Sequence, residues 1–144
     1  MGTVNYDQDF YGWTVEQVAL LQNKQFDQID WEHIIEEIDS MGKAERNQLR
    51  NRLTVLLMHL LKWQYEPSHR CTSWVQTIRE QRRAIAWLME DSPSLKASLS
   101  DQLTTAYRRA VDEAADETKL PISLFPTECP WNYTEFMNKE FFPE

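Results

Sequence analysis

Between Lys43 and about Glu66, large apolar side chains return every three or four positions: Leu49, Leu53, Leu56/Leu57, Leu60/Leu61 and Trp63. That period is the helical one, and it does not fit the strict alternation of a half-buried strand. At 1.5 Å per residue such a helix is about 36 Å long, enough to serve as the central core element of a small domain. Pro67 stops it, because a proline constrains the residue before it to extended backbone, and residues 67–70 read as a connector.

The rest of the chain follows the same rule. Tyr11, Val15, Val18 and Leu21, with Leu20 and Phe26, form a first apolar stripe, weakened at its start by Gly12. Asp30 is a suitable N-cap, with Ile29 and Ile34 spaced for a hydrophobic staple. Trp31, Ile34, Ile35 and Ile38 then share one face, Glu32 sits in the favourable first turn, and Gly42 reads as a left-handed C-terminal cap. Thr72 or Ser73 is the expected cap of a helix carrying Trp74, Ile78, Ile85, Leu88 and Met89. Ser92-Pro93 opens another, with Leu95, Leu99, Leu103, Ala106, Tyr107, Ala110 and Ala114 as its stripe. The last 25 residues hold Pro121, Pro126, Pro130 and Pro143 among Leu120, Ile122, Leu124, Phe125, Trp131, Phe136, Phe141 and Phe142. They read as an extended, aromatic-rich tail wrapped on the bundle, with one short helix near residues 134–139. The expected fold is all-α: one domain, residues 1–144, built as a bundle of about five main helices with the tail packed on it.

Composition bounds the function. With 42 % apolar and 12 % aromatic residues, the chain has the material for a core without a metal or disulfide. Its apolar runs, Val55–Met58 among them, are far short of a membrane span, and the N-terminal stretch lacks the basic and apolar regions of a leader. Cys71 and Cys129 are the only cysteines and read as two free thiols of a cytoplasmic protein. The net charge of −8 argues against a general nucleic-acid binder. It is unevenly spread, however. Residues 1–42 carry one basic and nine acidic side chains, residues 43–89 nine basic and three acidic, and residues 90–144 five basic and eleven acidic. A basic middle therefore lies between two acidic ends, and it is either paired internally or open to an acidic partner.

Several chemistries are excluded by motif. Gly42-Lys43 lacks the upstream glycine and the following Ser/Thr of a phosphate loop, and there is no Gly-x-Ser-x-Gly, Cys-x-x-Cys or His-Glu-x-x-His. His33, Glu36 and Glu37 stand at i, i+3, i+4 and are the one trio spaced to present metal ligands. His59 is a further ligand to weigh, but if Gly42 reversed the chain it would still lie about 12 Å further along than the residues facing His33, so geometry argues against it. His59 beside a leucine stripe reads as a hydrogen-bonded boundary residue, and His69 near Cys71 lacks an orienting group for nucleophilic chemistry. No catalytic residue, cofactor or metal is expected. Arg79, Arg82 and Arg83, again at i, i+3, i+4, are the candidate partner-binding surface, since arginines so spaced grip carboxylates or phosphates.

Taken in order, certain stretches form a recognisable set: Tyr6–Tyr11 with Trp13, Asp30-Trp31 leading to Glu36–Ile38, and Met41-Gly42-Lys43 with Glu45. There follow His59–Gln64, Ser73-Trp74 with Thr77-Ile78, Gln81-Arg82-Arg83, Ser92–Leu95 and Cys129-Pro130. The chain in this respect resembles the bacterial family called domain of unknown function 29 over nearly its whole length. The resemblance implies a small helical protein and brings no catalytic or cofactor-binding residue with it. The expected function is a non-enzymatic protein-interaction or regulatory module with a protein partner. The alternatives are a metal-dependent enzyme with a site in the bundle and a nucleic-acid-associated regulator using residues 43–83.

Overall fold

A computed structural model describes residues 4–144; residues 1–3, part of the stretch read for a leader, lie outside the described residues. Five α-helices follow in order: α1 Phe10–Gln22, α2 Trp31–Tyr65, α3 Thr72–Asp91, α4 Leu99–Thr118 and α5 Tyr133–Phe136. Short 3₁₀ turns at Phe26–Gln28, Pro67–His69, Pro93–Ser98 and Ile122–Leu124 join them, and there is no strand among the described residues. The all-α expectation holds. The chain, read from its sequence as one domain, divides by its internal packing into two compact units, residues 1–43 and 44–144, with α2 shared between them.

The first unit is a helical hairpin made of α1, the Phe26–Gln28 turn and the start of α2. Asp9 caps α1 by accepting from the Gly12 N–H at 3.0 Å. Gly12 is what makes room for that cap: a Cβ there would lie 2.4 Å from an Asp9 oxygen. The glycine therefore serves the helix start that the sequence reading counted against it. After α1, Lys24 takes a left-handed conformation (φ 56°) and turns the chain toward α2.

Gly42 does not cap anything. The helix runs through it, and residues 31–65 form one element where two were expected. A single exposed glycine costs a helix about 1 kcal/mol relative to alanine, which is too little to stop one that gains a hydrogen bond at every following residue. An Asp39–Lys43 ion pair at 3.0 Å brackets the position. Because Gly42 is exposed and helical, Gly42→Ala should raise stability by about 0.5–1 kcal/mol, read as a higher urea midpoint. A lower midpoint would show that this position needs glycine for some reason other than helix geometry.

The second unit contains the main core. Leu49, Leu53, Leu56, Leu57, Leu60 and Leu61 of α2 are fully buried, together with Ile78 and Ile85 of α3 and Ala106, Ala110 and Ala114 of α4. The tail contributes Phe125, Trp131 and Phe136 to the same cluster. Cys71, and neither Thr72 nor Ser73, precedes the first turn of α3, and no side chain caps it. Ser92 likewise makes no cap bond, and Pro93 opens a 3₁₀ turn ahead of α4. The tail is pinned by polar anchors as well as by rings. The Tyr107 hydroxyl donates to the Pro126 carbonyl at 2.7 Å, and Asn132 and Glu135 form a reciprocal capping box on α5.

Candidate functional site

Inside the first unit a hydrogen-bonded network joins α1 and the segment before it to the cap and first turns of α2. Trp13, Gln17 and Leu20, at i, i+4, i+7, are the buried residues of α1. Trp13 Nε1 donates to Asp30 Oδ2 at 3.0 Å, and Gln17 Oε1, on a side chain only 2 % exposed, accepts from the Asp30 backbone N–H at 2.8 Å. The other contacts to Asp30 come from His33, through Nδ1 at 2.7 Å and through its backbone N–H at 3.3 Å. Asp30 is therefore the N-cap of α2, as its sequence position predicts, and also the centre of a network. The Tyr6 ring stacks on the His33 ring with centroids 3.9 Å apart, and its hydroxyl donates to Glu37 Oε2 at 2.6 Å.

This arrangement accounts for the metal candidates. Of His33, Glu36 and Glu37, His33 has its Nδ1 on Asp30, Glu37 accepts from Tyr6 and Glu36 is exposed. Among the described residues no group of three His, Cys, Asp or Glu side chains converges as metal ligands. The sequence spacing is real, but His33 turns to the cap of its own helix, Glu37 to Tyr6 and Glu36 to the surface.

The network moves the affinities for protons. The Asp30 hydrogen bond raises the His33 pKa above its ordinary value of 6.5, against the opposing pull of burial. For Asp30, burial pushes upward, but hydrogen bonds from His33 and Trp13 outweigh it and leave the carboxyl below 3.8. The bond to Glu37 pushes the Tyr6 hydroxyl up to about 12. A raised histidine contributes stability that is complete below 6.5 and fades as pH climbs through the folded value. A depressed aspartate contributes stability that is complete above 3.8 and fades as pH falls through the folded value. The pair thus supports the hairpin most fully between those two pH values. His59 has its Nδ1 2.8 Å from the Val55 carbonyl and is shifted the opposite way, downward, by burial. In an NMR titration of the ring protons, His33 should titrate above 6.5 and His59 below it. The reverse order would show that the Asp30–His33 contact is absent in solution.

With the polar side turned inward, the apolar stripes of the first unit face outward. Tyr11 is 78 % exposed, and Val15 and Val18 are each about half exposed. On α2, Trp31 is 48 %, Ile35 64 %, Ile38 60 % and Met41 61 % exposed. Both stripes were expected to face the core, so this is a correction. At 100° per residue, Tyr11, Val15 and Val18 lie opposite Trp13, Gln17 and Leu20 on α1. Trp31, Ile35 and Ile38 lie opposite His33 and Glu37 on α2 by the same arithmetic. Helical period locates a stripe but does not say which side is buried, and here a hydrogen-bonded network took the inner side. The missed signal was Trp13-x₃-Gln17-x₂-Leu20, a second stripe in register whose central glutamine disguised it.

In the second unit the arginine trio is split. Arg79 and Arg83 are exposed, whereas Arg82 is 4 % exposed and faces inward. Its guanidinium donates to the carbonyls of Phe136 at 2.8 Å, Lys139 at 3.4 Å and Phe141 at 2.6 Å, and lies over the Phe142 ring. Burial, then the Arg79 charge, brings its pKa down to about 10, still well above neutrality, so the group remains cationic. A stripe Ile78-x₃-Arg82-x₂-Ile85 is the signal that places it inside. Lys62 is a second inward cation, 3.2 Å from Glu117 Oε1 and over the Trp74 ring at 4.7 Å. Both cysteines are free. Cys71 is exposed; the Cys129 thiol is half-buried against the Trp131 carbonyl, and burial pushes its pKa up. His69 is exposed, near Glu66 Oε1 at 3.6 Å, with no nucleophile–base pairing to Cys71 among its contacts.

Within this unit Lys62 is the member of the basic middle that pairs with an acidic side chain, Glu117, while the surface arginines do not. Among the described residues, Arg46, Arg50, Arg52, Arg79 and Arg83 form no ion pair; Arg50 turns to Asn47, and Arg52 reaches Gln81 at 3.4 Å. Asn47, Gln48, Asn51, Arg52 and Gln81 line a shallow groove of about 550 Å³ between α2 and α3. No helix among the described residues is long and apolar enough to cross a membrane.

Compared with known proteins, residues 5–142 match the model of a family described as Domain of unknown function DUF29. Neither a curated protein nor a solved structure matches the chain.

Proposed function

The chain belongs to the Domain of unknown function DUF29 family, and we propose that it is a non-enzymatic helical module that docks a protein partner in the bacterial cytoplasm. One observation carries this reading: ten large apolar side chains of the first unit, from Phe10 to Met41, are at least 37 % exposed. Together they leave on the order of 1,000 Å² of largely apolar surface in water, divided among α1, the Phe26–Gln28 turn and α2. Among the described residues of this unit, only Trp13, Leu20 and Ile29 are buried apolar side chains. A hairpin that small is marginal unless something completes its core. The two unpaired thiols support the cytoplasmic assignment.

Site-specific photo-crosslinking in living cells tests the docking. A benzophenone amino acid at Tyr11 or Ile35 should give a defined protein adduct, while one at exposed Glu113 of α4 should not. Adducts absent from both apolar positions, or equally strong at Glu113, would overturn the reading. A second reading, a nucleic-acid ligand on the α2–α3 face, is favoured by the arginines without carboxylate partners and by Trp87, 62 % exposed on α3. It requires retention of an oligonucleotide at low ionic strength and steep release by salt; no retention removes it.

A further inference from the structure

Resting on the docking reading, we propose that the α2 stripe of the first unit takes one partner of defined chemistry: an amphipathic helix flanked by lysine or arginine. The α2 stripe is narrow and regular. Trp31, Ile35 and Ile38 follow at steps of four and three, the spacing of a coiled-coil seam, and Met41 extends its apolar border. Each is about half exposed or more. Together they offer roughly 450 Å² of apolar surface, which is the apolar share of one side of a standard interface and suits a single docked helix.

The flank of the seam sets the sign of the partner. Glu32, Glu36 and Asp39 repeat the same four–three steps one position later, so they form a continuous acidic row about 100° around α2 from the seam. All three are exposed, and of them only Asp39 forms an ion pair, with Lys43. Residues 4–43 carry nine carboxylates against Lys24 and Lys43. A second copy is the wrong occupant on these grounds. Two α2 seams packed antiparallel about a two-fold axis set each acidic row against its own copy, like charge on like. Parallel packing sets the row against the border that carries Ile34 and Met41, leaving carboxylates without a cation. A helix with Lys or Arg beside an apolar seam meets both the apolar strip and the acidic row, in the helix-on-helix mode of recognition.

The test uses the full chain and two synthetic amphipathic peptides of about five helical turns, with the same leucine seam but flanked by lysine in one and glutamate in the other. Calorimetric titration should give binding to the lysine peptide at least about tenfold tighter than to the glutamate peptide, with the difference shrinking as salt is added. Ile35→Asp with Ile38→Asp should reduce binding of the lysine peptide about tenfold or more. Both positions are exposed, so unchanged far-UV helicity is expected and serves as the folding control. Glu32→Lys, Glu36→Lys and Asp39→Lys together should invert the preference between the peptides. Equal affinities, no binding of either peptide, or a preference unmoved by charge reversal would overturn the proposal. So would a dimer in sedimentation equilibrium that Ile38→Asp dissolves, since it would give the seam to a second copy. Failure here is separable from failure of the docking reading: adducts at Ile35 to a neutral or acidic partner would leave docking intact and reject the basic helix.

Discussion

Arg82→Met is expected to destabilise the second unit by about 3 kcal/mol or more, and to release its C-terminal tail before the helices unfold. The guanidinium is buried with its charge retained, and it is made tolerable by three backbone carbonyls of the tail and the Phe142 ring. Methionine matches the stem but supplies no donor, so the Phe136 carbonyl in particular is left buried and unpaired, a loss that costs about 1–3 kcal/mol for one group alone. Arg82→Lys keeps the charge but replaces a planar fork with a single ammonium, and should recover less than half of the loss. Urea unfolding measures the size, and hydrogen exchange over residues 131–143 measures the order of events. A loss under about 1 kcal/mol would mean that the rings alone hold the tail.

Phe136→Ala should cost about 3–5 kcal/mol. Phe136 is fully buried, its ring meets that of Tyr133 edge-on at 5.5 Å, and its carbonyl accepts from Arg82. Removing the ring opens a cavity under α5, a helix too short to keep its place by itself. The two positions share a contact, so the double variant should lose less than the two separate losses together. Strict additivity in that cycle would show that ring and guanidinium anchor the tail independently. A cost near 1 kcal/mol for Phe136→Ala would show that the core closes over the vacancy.

Between the two units, legibility in the sequence differs for a physical reason. In the second unit the apolar stripes are dense and one-sided, and burial of that area dominates every competing term. Leu49 through Leu61, Ile78, Ile85 and the alanines of α4 therefore went where their period placed them. In the first unit the stripes are narrow, and the opposite sides of α1 and α2 carry Trp13, Gln17, Asp30 and His33 in positions that satisfy one another. Hydrogen bonds between buried groups are decided by atoms from both helices at once, and no window along one helix contains both sets. The candidate site followed the same division. Arg79, Arg82 and Arg83 share a period but not an environment, and only the tail decides which of them is inside.

Sequence alone determined that this chain is helical, where Pro67 and the Ser92-Pro93 pair interrupt it, that its tail is anchored by rings, and to which family it belongs. Those properties follow from local backbone chemistry and from period, which a linear chain states directly. Tertiary structure decided the rest: that α2 runs through Gly42, that Arg82 is an internal clamp, and that Trp31, Ile35 and Ile38 look outward. An amphipathic helix has two sides, and which of them is buried depends on what the neighbouring helix brings to the contact.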